Sequence, residues 1–224
     1  MEEMIKTALV TGASSGLGLE LCRQLINQNF KVFGVCRKPS AELKALDLQV
    51  IEGVDLTSEV HLNELASRFE NDFLDLLFNN AGIFNDDEIE HLESKSLDLQ
   101  WKVNAWAPLM FSSKMISKMR SPSKIAMMTS RMGSIEDNNS GGYYGYRMSK
   151  AALNAGSKSL AIDLKDRKIA VGIFHPGYVR TKMTSFQGDR TPEESIRGIL
   201  KTLDRLDLKN SGTFWHSDGS ILPW

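Results

Sequence analysis

Short apolar runs alternate with longer amphipathic stretches along most of this chain, and few folds accommodate that rhythm. Residues 7–10, 31–36, 49–53, 74–78, 124–129, 170–174 and 213–216 read as strands. Between them, 17–27, 59–70, 97–119, 149–167 and 192–206 carry apolar residues at helical spacing. Strand–helix–strand repeats predict parallel pairing, because each crossover helix returns the chain to the same end of the sheet. Near-continuous apolar strands fit a sheet covered on both faces. The expectation is an α/β fold: one domain spanning 1–224, doubly wound around a seven-stranded parallel sheet. Ligands of such sheets bind beyond the carboxyl ends of the strands. The two longest unassigned stretches, 133–142 and 181–191, follow strand ends on that side.

Composition narrows the partners. With 224 residues, 42% of them hydrophobic, the chain can bury one substantial core and little more. A formal net charge of −1 and no basic block argue against nucleic acid or a membrane as the main partner. Cys22 and Cys36 are the only cysteines, which predicts packed, reduced thiols in a cytoplasmic protein and no metal set. Glu2 and Glu3 precede a short apolar run, unlike the cationic start of a signal peptide. No apolar stretch approaches the roughly 18 residues of a membrane span.

The first strand runs into Thr11-Gly12-Ala13-Ser14-Ser15-Gly16-Leu17-Gly18 and then a helix. Glycines there let backbone amides and a helix N-terminus approach a pyrophosphate. The same residues spell Gly12-x-Ser14-x-Gly16, the nucleophile elbow of serine hydrolases. That second reading would nominate Ser14 as nucleophile with His175 or His216 downstream, but gives no role to the later motifs. Downstream, Tyr146 and Lys150 stand one helical turn apart, so an ammonium can sit beside a phenol and favour its ionised form. Tyr178 and Lys182 share that spacing; the order of the surrounding motifs separates the two pairs.

In that order, the glycine turn, Asp55-Leu56, Asn79-Asn80-Ala81-Gly82, Asn104, Ser130, Tyr146 with Lys150, and Pro176-Gly177-Tyr178-Val179-Arg180-Thr181 resemble the short-chain dehydrogenase/reductase family over essentially the whole chain. Met132-Gly133-Ser134-Ile135, Gly141-Gly142-Tyr143 and the ending Asp218–Trp224 look like its C-factor-like and carbonyl reductase branch. The resemblance implies a Rossmann-type fold with strand order 3-2-1-4-5-6-7. It also implies a nicotinamide cofactor and a small carbonyl or alcohol substrate. Gly12, Ser14, Ser15, Gly16, Leu17 and Gly18 would then hold the phosphates. Asp55 and Leu56 would meet the adenine, and Asn80, Ala81 and Gly82 the adenosine ribose; Asp55 also reads as a helix cap. Asn79 reads as structural. Pro176, Gly177, Val179 and Thr181 would meet the nicotinamide carboxamide.

The second strand ends Val35-Cys36-Arg37, where an NAD-selective fold places an acid for the ribose hydroxyls. Cys36 cannot repel a 2′-phosphate. Arg37 can hold one with charge-assisted bonds of about 1.5–3 kcal/mol, which favours NADP (NADPH); the other reading is a solvated arginine.

By the same resemblance, Tyr146 is the general acid/base, Ser130 holds the reacting oxygen, and Lys150 depresses the phenol's pKa and binds the nicotinamide ribose. Moving a phenol from about 10 to about 7 takes about 4 kcal/mol. A lysine alone falls short of that, so the positive ring of the oxidised cofactor is a second contributor. Ser130 lies 16 residues before Tyr146, more than the family's usual interval, which keeps Ser134 as runner-up. Asn104 precedes Pro108 by four residues, and Pro108 cannot bond its carbonyl. The resemblance implies a helix distorted at this asparagine, which joins the catalytic group by binding through its main chain a water that relays protons to Lys150. The other reading is that Pro108 begins a new helix.

His61 and His91 read as solvated, and His175 as packed. Met132, Ile135, Tyr143, Tyr178, Met183 and Phe186 are candidates for an apolar mouth. Residues 106–119 and 149–164 are apolar on more than one face, which predicts a homodimer or homotetramer. A cofactor-binding signalling protein or redox sensor with little turnover is the alternative from another class.

Overall fold

The computed structural model describes residues 5–71 and 73–224, so Glu2 and Glu3 lie outside the described residues. Seven parallel strands form one sheet in the order β3-β2-β1-β4-β5-β6-β7. They are β1 (Thr7–Thr11), β2 (Lys31–Val35), β3 (Gln49–Ile51), β4 (Leu74–Asn79), β5 (Met119–Met128), β6 (Ile169–His175) and β7 (Phe214–His216). The helices are α1 (Gly16–Asn27), α2 (Ala41–Lys44), α3 (Glu59–Ser67), α4 (Ser94–Trp101), α5 (Ala107–Met115), α6 (Tyr144–Asp163) and α7 (Pro192–Asp204).

Alternate strand residues feed two cores. Ala8, Val10, Leu76, Phe78, Ala126 and Met128 face α1, α2 and α7 through Leu21, Leu25, Leu43, Ile196 and Ile199. Leu9, Leu77, Ile125 and Met127 face α3, α5 and α6 through Leu62, Leu65, Phe111, Leu153 and Leu160. Each such side chain contributes about 1.5–3 kcal/mol when fully buried, so the central strands need apolar residues on both faces. That explains their unbroken hydrophobic reading.

The expected helix over 97–119 is divided. Between α4 and α5 the chain widens into a π-helical turn, Lys102–Trp106, and the Ala107 amide donates to the Lys102 carbonyl five residues back. Pro108 enters at the first turn of α5, where its missing amide removes the normal partner of the Asn104 carbonyl. The tail of the expected helix belongs to a 3-10 turn, Ile116–Lys118, and to β5, whose register slips between the pairs Leu74–Met119 and Leu76–Lys124. The polar stretch Arg120-Ser121-Pro122-Ser123 in that slip hides the start of the strand.

Helix α6 begins at Tyr144, five residues before the expected start. Gly141, Gly142 and Gly145 mask its periodicity in the sequence. Tyr143 just before it is left-handed, with φ of 54°, and no side chain of its own turn caps the helix. The β4–α4 connection caps it instead. The Tyr143 amide donates to the Asp87 carbonyl at 3.1 Å, and the Gly145 amide to Asp87 Oδ2 at 3.2 Å.

Among the described residues, no helix is long and apolar enough to cross a membrane. None of their His, Cys, Asp and Glu side chains form a group of three or more that could hold a metal.

Candidate active site

A cleft of about 950 Å³ opens along the carboxyl ends of the strands. Its floor at one end is backbone. Gly12 is left-handed, with φ of +67°, and a Cβ there would stand 2.8 Å from the Ala81 Cα. A Cβ at Gly18 would meet the Gly12 carbonyl oxygen at 2.2 Å, so α1 packs as close to β1 as glycine permits. Ser15 precedes α1 in extended conformation without a side-chain cap, and the first turn carries no acid. The positive end of α1 is therefore open toward the cleft. By contrast, α7 closes its own start with the reciprocal Thr191–Glu194 capping box. Ser14, Ser15, Gly16 and Leu17 all line the cleft.

Beyond β2, Cys36, Arg37 and Lys38 line the same cleft, and Arg37 is exposed. Asp55 and Leu56 face them. Asp55 Oδ1 accepts from the Thr57 amide at 2.9 Å and from Thr57 Oγ1 at 2.8 Å, and these bonds hold its carboxyl below the usual range. The helix-cap reading of Asp55 fails, because Ser58 caps α3 by accepting from the His61 amide. His61 is likewise engaged, not simply solvated: its Nδ1 accepts from the Asp55 amide at 3.0 Å.

Asn80, Ala81 and Gly82 line the middle of the cleft. The Asn80 side chain donates to the carbonyls of Thr11 (3.0 Å) and Gly12 (3.2 Å), so it braces the glycine turn. Asn79 points away and donates to Ser112 Oγ at 2.9 Å.

At the far end lie Tyr146 and Lys150, both buried, on one face of α6. Lys150 Nζ donates to the Met128 carbonyl at 2.9 Å and stands 5.7 Å from the centre of the Tyr146 ring. Burial lowers the Lys150 pKa to about 7. Burial also pushes the Tyr146 phenol up to about 12, opposed by a hydrogen bond with the Ser130 side chain. Desolvation therefore dominates the phenol, and the hydrogen bond with Ser130 is what opposes it.

Ser130 follows β5, is buried, and accepts from the Met132 amide at 3.1 Å. Ser134 accepts from the Asp137 amide within its own loop. Asn104 is buried in the π-helical turn. Its Oδ1 accepts from the Ile83 amide (2.8 Å), and its Nδ2 donates to the Ile83 carbonyl (2.9 Å) and to Ser149 Oγ (3.0 Å). Ser149 in turn donates to the Tyr146 carbonyl at 2.8 Å.

Pro176 and Thr181 line the cleft, whereas Gly177 and Val179 do not; Val179 is buried and bridges to Arg190. Of the candidate mouth residues only Met183 and Phe186 reach the cleft. Ile135 and Tyr178 are exposed elsewhere, so Tyr178 does not form its wall. Neither His175 nor His216 lines the cleft that Ser14 faces. The His175 ring lies 5.2 Å from that of His216, tilted by 52°, and burial lowers its pKa to about 3.

Sequence reasoning missed Ile83, Val103 and Met128 in the cleft wall, and Phe84, whose ring meets Tyr146 edge-on at 5.1 Å. Only the position of Ile83 and Phe84 directly after Asn80-Ala81-Gly82 could have signalled them.

Fold and site together define an oxidoreductase of the doubly wound α/β class. The model of the short chain dehydrogenase family matches residues 6–191, and the chain belongs to that family, in its C-factor-like and carbonyl reductase branch. It is 36% identical over 226 residues to 1-hydroxy-2-glutathionyl-2-methyl-3-butene dehydrogenase of Rhodococcus sp. (strain AD45), covering 98% of this chain and 100% of the relative. It is 35% identical over 154 residues to the C-signal of Myxococcus xanthus, covering 67% of this chain and 93% of that protein. The NADPH-bound carbonyl reductase from chicken fatty liver superposes with a TM-score of 0.91 at 28% identity, covering 99% of this chain and 100% of that one.

Proposed function

We propose that the protein is an NADPH-dependent oxidoreductase that interconverts a small carbonyl compound and its alcohol. The observation that carries this reading is the shape of one continuous cleft. A glycine-lined turn and the open end of α1 lie at one end, and the buried Tyr146–Lys150 pair lies at the other. The residues fit the cofactor: side chains at Gly12 or Gly18 would fill the cradle, and Arg37 and Lys38 offer cations where a 2′-phosphate would lie. When bound, NADPH supplies the hydride.

The chain's own residues do the rest. Tyr146 stays protonated at neutral pH and can give its proton to a carbonyl oxygen. Ser130, already bonded to the phenol, holds the same oxygen. Lys150, fixed by the Met128 carbonyl, presents its remaining donors to the cofactor ribose. Asn104 holds Ile83 and, through Ser149, the backbone of Tyr146. Pro176 and Thr181, which line the cleft, would border the nicotinamide, and Asp55 and Leu56 the adenine.

Exposed Leu109, Met148 and Ile162 on α5 and α6 support pairing of subunits into a homodimer or homotetramer. The buried thiols Cys22 and Cys36 fit a reducing, cytoplasmic setting. The likeness to a protein called C-signal keeps a second reading, a cofactor-binding signal or sensor protein.

Consumption of NADPH with a panel of aldehydes and ketones, beside titration with NADPH and NADH, tests the proposal. Turnover with tighter NADPH binding is expected. Tight binding without turnover favours the sensor, and failure to bind either cofactor removes both readings.

A further inference from the structure

The β4–α4 connection holds a buried carboxylate that the chemistry above does not use. Asp87 is 4% exposed, and its bonds converge on the first turn of α6. Its Oδ2 accepts from the Gly145 amide (3.2 Å) and from Gln100 Nε2 (2.6 Å), its Oδ1 from Ser96 Oγ (2.7 Å), and its carbonyl from the Tyr143 amide (3.1 Å). A buried carboxylate is costly unless hydrogen bonds and charge offset it. Here the offset comes from those donors and from the positive start of α6. Gly145 is the residue beside Tyr146, and it must be glycine: a Cβ would stand 2.7 Å from Asp87 Oδ2 and 2.5 Å from Gln100 Nε2.

Phe84, three residues earlier, touches the rings of both Tyr143 (5.5 Å) and Tyr146 (5.1 Å). Gln100 Oε1 accepts from the Asn85 amide at 3.0 Å, which ties the same connection to α4. The start of α6 has no cap of its own, so its placement is delegated to this connection. We propose that Asp87 is the positioning residue for Tyr146: its carboxylate fixes the first turn of α6 and thereby the location of the phenol in the cleft. This rests on Tyr146 being the acid of the reaction.

Three variants of the full-length, NADPH-loaded protein test it: Asp87→Ala, Asp87→Asn and Gly145→Ala. Asparagine keeps the volume and an acceptor for Gly145 and Gln100, while its amide can donate to Ser96. Asp87→Ala should lower kcat about 100-fold with NADPH affinity and KM within about threefold, the pattern of a misplaced reacting group. Asp87→Asn should recover most of that loss.

A second readout needs no turnover. With 3-fluorotyrosine at the four tyrosines, the ¹⁹F resonance assigned by Tyr146→Phe should move in Asp87→Ala and return in Asp87→Asn. An unmoved Tyr146 resonance overturns the proposal. So does a collapse of all the resonances and of NADPH binding together without rescue by asparagine, since that marks a general structural role. If Asp87→Ala does not fold, Gly145→Ala disturbs the same contact with the carboxylate retained, and an unmoved Tyr146 resonance there is equally fatal. A wild-type protein that turns over no carbonyl contradicts the proposed reaction instead, and the resonance still decides whether Asp87 places the phenol.

Discussion

The two ends of the cleft are made of different material. At the β1–α1 end the surface is backbone, drawn tight by Gly12 and Gly18 and left with the amides of α1 unclaimed. At the α6 end it is side chains, set by a buried polar chain from Ile83 through Asn104 and Ser149 to Tyr146. A backbone site depends on where residues are absent. A side-chain site depends on neighbours that hold it, so it fails by displacement as well as by deletion.

The sharpest test of that contrast removes one oxygen. Tyr146→Phe should keep the fold and NADPH binding but cut turnover by about 100- to 10,000-fold, the usual contribution of a positioned general acid. Tyr178→Phe, outside the cleft, should retain most activity. Steady-state rates beside circular dichroism would reverse the assignment if the two outcomes were exchanged.

At the other end, Arg37→Ala should weaken NADPH by about ten- to a hundredfold through loss of a charge-assisted bond, with little change for NADH. Fluorescence titration showing an equal loss for both cofactors would contradict a phosphate at that position.

The smallest effect concerns the cost of burying Lys150. Its folded-state pKa of about 7 lies below its ordinary 10.5, so the unfolded chain binds more protons between those values and stability rises with pH there. The penalty is fully present below pH 7 and is relieved as pH climbs toward 10.5. From pH 7 to 8, cofactor-free protein should therefore gain about 1 kcal/mol relative to Lys150→Met. Urea denaturation of both proteins at the two pH values would reveal it, and parallel curves would show that Lys150 stays charged.

The same contrast decides what could be read from the chain. The parallel sheet and the glycine turn were legible, because buried parallel strands and close backbone approach impose residue types directly, whereas the strand order came from the family resemblance alone. Tyr146 and Lys150 stood apart from Tyr178 and Lys182, which share their spacing, only through the order of the surrounding motifs, and Pro108 marked the break at Asn104. Asp87, Gln100 and Phe84 were not. An aspartate in Asn85-Asp86-Asp87-Glu88 looks like any solvated loop acid, and nothing local says that Gly145 lies against it. Burial is silent in the same way: spacing shows the lysine beside Tyr146 but not the desolvation that raises its phenol. The start of α6 was placed late because its cap comes from 58 positions upstream, at Asp87.

The π-helical turn at Lys102–Trp106 also acts on rotational phase. In an α-helix each residue advances about 100° around the axis, so a locally wider turn offsets the face that follows from the face that precedes it. The continuous helical run from α4 to α5 can then serve two neighbours that no uniform helix would address together. Gln100 and Asn104 point to the connection carrying Ile83 and Asp87, while Phe111 and Met115 enter the core beneath the sheet. The turn thus works as a mechanical coupling between the packed interior and the segment that borders the cleft, and its length in residues sets the angle between them.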